Sequence, residues 1–174
     1  MEQPGLSNLA RSSLPWLFAS LLCLGGCVYQ PLYGTGGVSG EYGATLSQIW
    51  VEEEDTRVGQ QVRNHLIFLL QGGRDDVSAR YLARLRVLET SREFAAVEGV
   101  RDDTAGSVTV AVSYDLFDRE SKTVVAEGRR VANATYDRTP QNFANNRAFR
   151  DAQDRAAKEA AEKLRLAFAA DLSE

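Results

Sequence analysis

Between Ser107 and Phe117 the chain alternates without a break. Val108, Val110, Val112, Tyr114 and Leu116 fall on one side, and Thr109, Ala111, Ser113 and Asp115 on the other. A period of two marks a strand with one buried face, because successive side chains leave a strand in opposite directions. The pattern recurs on both sides of this segment. From Tyr81 to Glu89, Tyr81, Ala83, Leu85 and Val87 alternate with Leu82, Arg84, Arg86 and Leu88. From Thr123 to Tyr136, after a turn at Asp118 to Lys122, Val124, Ala126, Ala132, Ala134 and Tyr136 oppose Glu127, Arg129 and Asn133. Three successive half-apolar strands need something to cover their apolar side.

Two segments of helical period can supply that cover. After a short strand at Leu46 to Val51, rich in β-branched and aromatic residues, Asp55 or Thr56 can cap a helix carrying Val58, Val62, Leu66 and Leu69. Gly72-Gly73 then stops it. After Thr139-Pro140 a long helix, Gln141 to about Leu172, carries Phe149, Ala152, Ala156, Ala160, Leu164 and Phe168 at three- and four-residue spacing. Its alanines allow close approach to a sheet. The order strand, helix, three strands, helix predicts an α+β fold: a four-stranded sheet with two helices packed on one face, and the other face polar and exposed.

This single domain is expected to span residues 46–174. Ahead of it, Leu14 to Leu24 form eleven mostly apolar residues behind Arg11, too few for the roughly 20 that cross a bilayer but suited to a signal peptide over residues 1–26. The junction Leu24-Gly25-Gly26-Cys27 resembles the lipobox of bacterial lipoproteins. It makes Cys27 the expected lipidation site, a di- or triacylated residue holding the chain to a membrane. Val28 stands where an aspartate would retain such a protein at the inner membrane, so the resemblance favours the outer membrane. Residues 27–45 then read as the lipidated start and a flexible tether, with five glycines between Gly34 and Gly43.

Composition excludes several classes. The net charge is -4 with basic and acidic residues interleaved, unlike a nucleic-acid binder. Cys23 and Cys27 lack zinc-site spacing, the acids lack calcium-loop spacing, and Gly34 to Gly37 lacks the Lys-Ser/Thr ending of a phosphate loop. His65, the single histidine, sits in an apolar helix segment. No catalytic residue, metal ligand or cofactor site is expected.

The Cys27-Val28-Tyr29-Gln30-Pro31-Leu32-Tyr33-Gly34 start, the Val62-Arg63-Asn64-His65-Leu66 segment, the Tyr81-to-Leu88 strand and the Ala-rich helix after Phe143 together resemble the LptE family of lipopolysaccharide-assembly lipoproteins, in its alphaproteobacterial form. Family members commonly have Gly and Phe after the cysteine, where this chain has Val28 and Tyr29. The resemblance implies a non-enzymatic protein that sits in the lumen of the outer-membrane β-barrel LptD, helps it fold and assists lipopolysaccharide insertion in the outer leaflet. Arg84, Arg86 and Arg129 share the polar side of the sheet under regular alternation, and guanidinium groups suit lipid A phosphates. The plainer alternative for them is a solvated face paired with acids such as Glu127. Two other functions fit the anchor: a periplasmic lipoprotein auxiliary to a lipid or solute transporter, and a lipid-anchored enzyme.

Overall fold

The computed structural model describes residues 43–94 and 104–173; the signal-peptide segment, Cys27 and most of the tether lie outside them. A helical turn at residues 43–46 leads into β1 (Ile49–Val51), α1 (Arg57–Gln71), β2 (Tyr81–Glu93), β3 (Thr104–Asp118), β4 (Thr123–Arg138) and α2 (Asn142–Asp171). The strands form one sheet in the order β1-β2-β3-β4. β1 runs parallel to β2, and the other pairs are antiparallel. The expected α+β order is therefore the observed one.

Period two places Ile49, Val51, Ala83, Val108, Val110, Val112, Leu116 and Ala132 on one face, and each is fully buried there beneath the helices. α2 contributes Ala152, Ala156, Ala160, Leu164 and Phe168, all completely buried, and α1 adds Val62 and Leu66. Short alanine side chains let the helix backbone approach the sheet, so the residues that project far into the gap are Leu164 and Phe168. The Phe168 ring meets the Tyr114 ring edge-on at 5.1 Å.

Glycines on the same face make room for tyrosines. Gly128 pairs across the strands with Tyr114, and Gly106 with Tyr136. A Cβ on Gly128 would lie 2.7 Å from the Tyr114 hydroxyl, and one on Gly106 would enter the Tyr136 ring. Each ring lies over backbone that carries no side chain. The Tyr114 hydroxyl donates to Asp171 Oδ2 at 2.8 Å. Burial, foremost, and this bond push the phenol up to about 12.

The buried side-chain amides at the helix–sheet boundary, Gln153 and Gln71, both find partners, as most buried polar groups do. Gln153 accepts from Arg57 Nη1 at 2.8 Å and donates to Glu89 Oε1 at 2.6 Å, so it ties α1, α2 and β2 together. Gln71 donates to the Ile49 carbonyl and accepts from Asp76 N.

Thr56, the second of the two expected caps, closes the start of α1 by accepting from Gly59 N at 3.0 Å. Gly72, at φ 65°, ends it. β2 and β3 each run beyond the expected ends, since Glu93 still pairs with Gly106. Two expected placements are corrected. Leu46, expected to open the first strand, ends the helical turn instead, and the strand begins only at Ile49. A register shift between Leu116 and Phe117 pairs Phe117 with Val124 and leaves Val125 as an extra residue, so Val124 points to the open face and not to the core. A bulge of this kind flips the parity of every residue beyond it.

Candidate functional site

Among the described residues no helix or strand covers the second face of the sheet, and only at the β1 end does a side chain, Arg119, lie over it, 5.3 Å above the Trp50 ring. Strand register orders the side chains of this face in rows. Trp50, Leu82, Phe117 and Val124 make an apolar row at the end where β1 lies. Next come Arg84, Asp115 and Glu127, then Arg86, Ser113 and Arg129. A second apolar row follows, Leu88, Ala111 and Val131, and then a polar one of Thr90, Thr109 and Asn133. Leu88 is 62% exposed and Val131 39%, with Ala111 buried between them. Thr109 and Asn133 are bonded to each other at 2.6 Å.

The three arginines singled out in the sequence therefore do share one face, in two adjacent rows. Asp115 gathers two of them: its carboxylate lies 3.5 Å from Arg84 Nη1 and 3.7 Å from Arg86 Nη2. Arg84 also lies 3.9 Å from Glu52 and 5.3 Å from the centre of the Phe117 ring. Arg129 stands across Ser113 from Arg86, two strand spacings or about 10 Å away, with no ion pair among the described residues. The band is a mixed one, three arginines against Asp115 and Glu127, rather than a plain basic stripe. Arg86 is more available than Arg84, its side chain 83% exposed against 46%. Pairing with acids occurs as the plainer expectation held, but through Asp115 in place of Glu127. Only the β2–β3 register, which alternation alone does not reveal, makes Asp115 the neighbour.

The end of the sheet near β1 is tied by charge. Arg80 Nη2 meets Asp118 Oδ2 at 2.8 Å, and Arg80 Nη1 meets Glu120 at 3.4 Å. The Arg80 hydrogen bond, foremost, holds the Asp118 carboxyl below the usual carboxylate range against the opposing effect of its burial. At the opposite end an open hollow of about 460 Å³ lies between Ser91, Glu93, Tyr136, Arg138, the amides of Asn142, Asn145 and Asn146, and Phe149. Beside it Phe143, 74% exposed, carries Arg147 over its ring at 5.9 Å, near Arg57 and Arg150. Sequence reading passed over this second arginine group because its members lie on two helices far apart in the chain. His65 is a half-buried residue of α1. Among the described residues no cluster of metal-ligating side chains occurs, and no helix is long and apolar enough to cross a membrane.

Comparison with known proteins places this arrangement. The family model described as LptE, lipopolysaccharide-assembly, matches residues 46–167. A crystal structure of a protein from Caulobacter crescentus CB15, described as a lipoprotein, superposes with a TM-score of 0.64 at 29% identity, over 79% of this chain and 98% of that one. The rare lipoprotein B from Shewanella oneidensis shares the fold with a TM-score of 0.51 at 12% identity, over 72% of this chain and 94% of that one. No match was found among curated protein sequences.

Proposed function

We propose that this chain, which belongs to the LptE family of lipopolysaccharide-assembly lipoproteins of the Gram-negative envelope, is held to the outer membrane through acylated Cys27 and occupies the lumen of the β-barrel LptD. There it assists barrel assembly and the passage of lipopolysaccharide to the outer leaflet. The observation that carries the reading is the bare sheet face. A sheet whose second face bears charged and hydrogen-bonding rows, with no layer above it among the described residues, suits a wet barrel interior, which is polar in barrels of this class. The helices keep the opposite face dry. The role is one of binding and support and not of catalysis.

Arg86 and Arg129 are the groups best placed to meet lipid A phosphates. Arg84 is a weaker candidate, being engaged by Asp115 and Glu52 at once. Affinity purification of the detergent-solubilised full chain tests the main reading, with a large β-barrel protein as the expected partner. Recovery of an inner-membrane transporter instead would transfer the chain to the auxiliary role. The arginines are tested separately, by a lipopolysaccharide pull-down at low salt with Arg84, Arg86 and Arg129 all changed to Glu. Binding should fall while the melting temperature and barrel partner are kept, and undiminished binding would remove the arginines from the proposal. Loss of radiolabelled palmitate in Cys27→Ala tests the anchor.

A further inference from the structure

The edges of the sheet are treated unequally. On β1, the outward carbonyl of Ile49 accepts from Gln71 and that of Val51 accepts from Arg63 Nε at 3.1 Å. On β4, the Arg129, Val131 and Thr135 carbonyls accept from Arg130, Lys163 and Arg155 at 2.9, 2.8 and 2.8 Å. Side chains of the chain itself thus occupy acceptors that a foreign strand would need, a recognised way of blunting an edge.

β2 is different. Tyr81 N donates to Gln48 O, and Ala83 O accepts from Glu52 N, so the odd-numbered residues of β2 turn their backbone groups toward β1. β1 ends at Val51, opposite Ala83, while β2 continues to Glu93. By alternation Val87, Glu89, Ser91 and Glu93 still turn their N–H and C=O groups outward, and among the described residues none of these groups is bonded on that side.

We propose that the Val87–Glu93 edge of β2 receives an added strand from a partner protein, and that this strand carries acidic residues on the open face of the sheet. The side chains flanking the edge on that face are Arg86, Leu88, Thr90 and Arg92. Arg86 is largely exposed, and Arg92 has no ion pair among the described residues. A strand laid alongside sets its own side chains opposite these at two-residue spacing. The complementary sequence therefore has two acids six residues apart, with an apolar residue between them to meet Leu88. A second copy of the chain fits poorly, because self-pairing centred on Glu89 would set Arg86 against Arg92 twice and Glu89 against itself. The chain's own stretch before Gly43 also fits poorly, since Glu41 is its single acid after Cys27. The proposal does not depend on the barrel reading, and its test runs without a barrel.

The experiment uses the full chain in detergent and a blocked nine-residue peptide with glutamates six apart and a leucine between them, beside a counterpart with lysines for glutamates. Amide exchange of the free chain should be fast at Val87, Glu89, Ser91 and Glu93, and should slow at least tenfold with saturating glutamate peptide. The glutamate peptide should bind at least tenfold more tightly than the lysine peptide at low salt, and Arg86→Glu with Arg92→Glu should reverse that preference. Ser91→Pro removes an outward N–H and no bond to β3, a position where proline is tolerated on an edge, and should abolish binding. If that variant fails to fold, exchange in the wild-type chain and the charge reversal decide. Slow exchange in the free chain, equal affinity for both peptides, or a folded Ser91→Pro that still binds would each overturn the proposal.

Discussion

The two faces of this sheet are built from the same three long strands, yet they tolerate change very differently. On the helix-covered face, side-chain size is matched row by row: glycine lies under tyrosine, and alanines on α2 meet valines on the strands. On the open face, charged, apolar and polar rows follow one another, and few side chains there are fixed by more than one neighbour. The difference teaches that alternation specifies a boundary and leaves half the surface free for interaction. Stability should be concentrated on one face of each strand and function on the other.

The largest test of that division is a charge in the covered face. Val110→Asp or Leu164→Asp, each at a site of zero exposure, should cost about 3 kcal/mol or more and unfold the domain, as read by thermal melts. A wild-type melting temperature would erase the distinction between the faces. Next in size is Gly128→Val, whose side chain would enter the space of the Tyr114 ring. Overpacking of this kind costs about 1–3 kcal/mol, and denaturant titration should show it as a lower midpoint with an unchanged slope.

Asp118 sharpens the comparison, being the buried carboxylate among the described residues of the covered face. Because its folded-state pKa lies below the ordinary 3.8, its contribution is full above the unfolded value and is lost as pH falls through the folded one. Asp118→Asn should therefore be less stable than wild type near neutral pH, and the gap should close below pH 3.8. A gap independent of pH would mean that shape and not charge matters there. Smallest of all, Leu88→Ser in the exposed apolar row should shift stability by no more than about 0.5 kcal/mol in the isolated protein, checked by the same melts. A larger loss would mean that this row is part of the core.

Element order, the covered face and both helix stripes were legible because period and burial are local properties of the chain. Val124 was misplaced because a bulge leaves no mark in a run such as Val124-Val125-Ala126, where either parity looks apolar. Asp115 was seen on the open side, but its hold on Arg84 and Arg86 depends on a register between strands. The unequal edges are a still longer-range property, since Lys163 and Arg155 reach β4 from another element. Thr56 and Asp55 offered equivalent caps, and only the backbone geometry chooses between them.

The brevity of β1 has a consequence in time. Its contact with β2 brings Ile49 to Tyr81, closing a loop of about 30 residues, while β3 and β4 meet across a tight turn. Loop-closure entropy must be met before such a distant contact is rewarded. The β2–β4 meander with α2 is accordingly expected to form the folding nucleus, with β1 docking after the rate-limiting barrier. Ile49→Val should speed unfolding and leave the refolding rate almost untouched, whereas Val110→Ala should slow refolding. Those two rates together would make β1 a latch, the last part to close as the chain folds and the first to open as it unfolds.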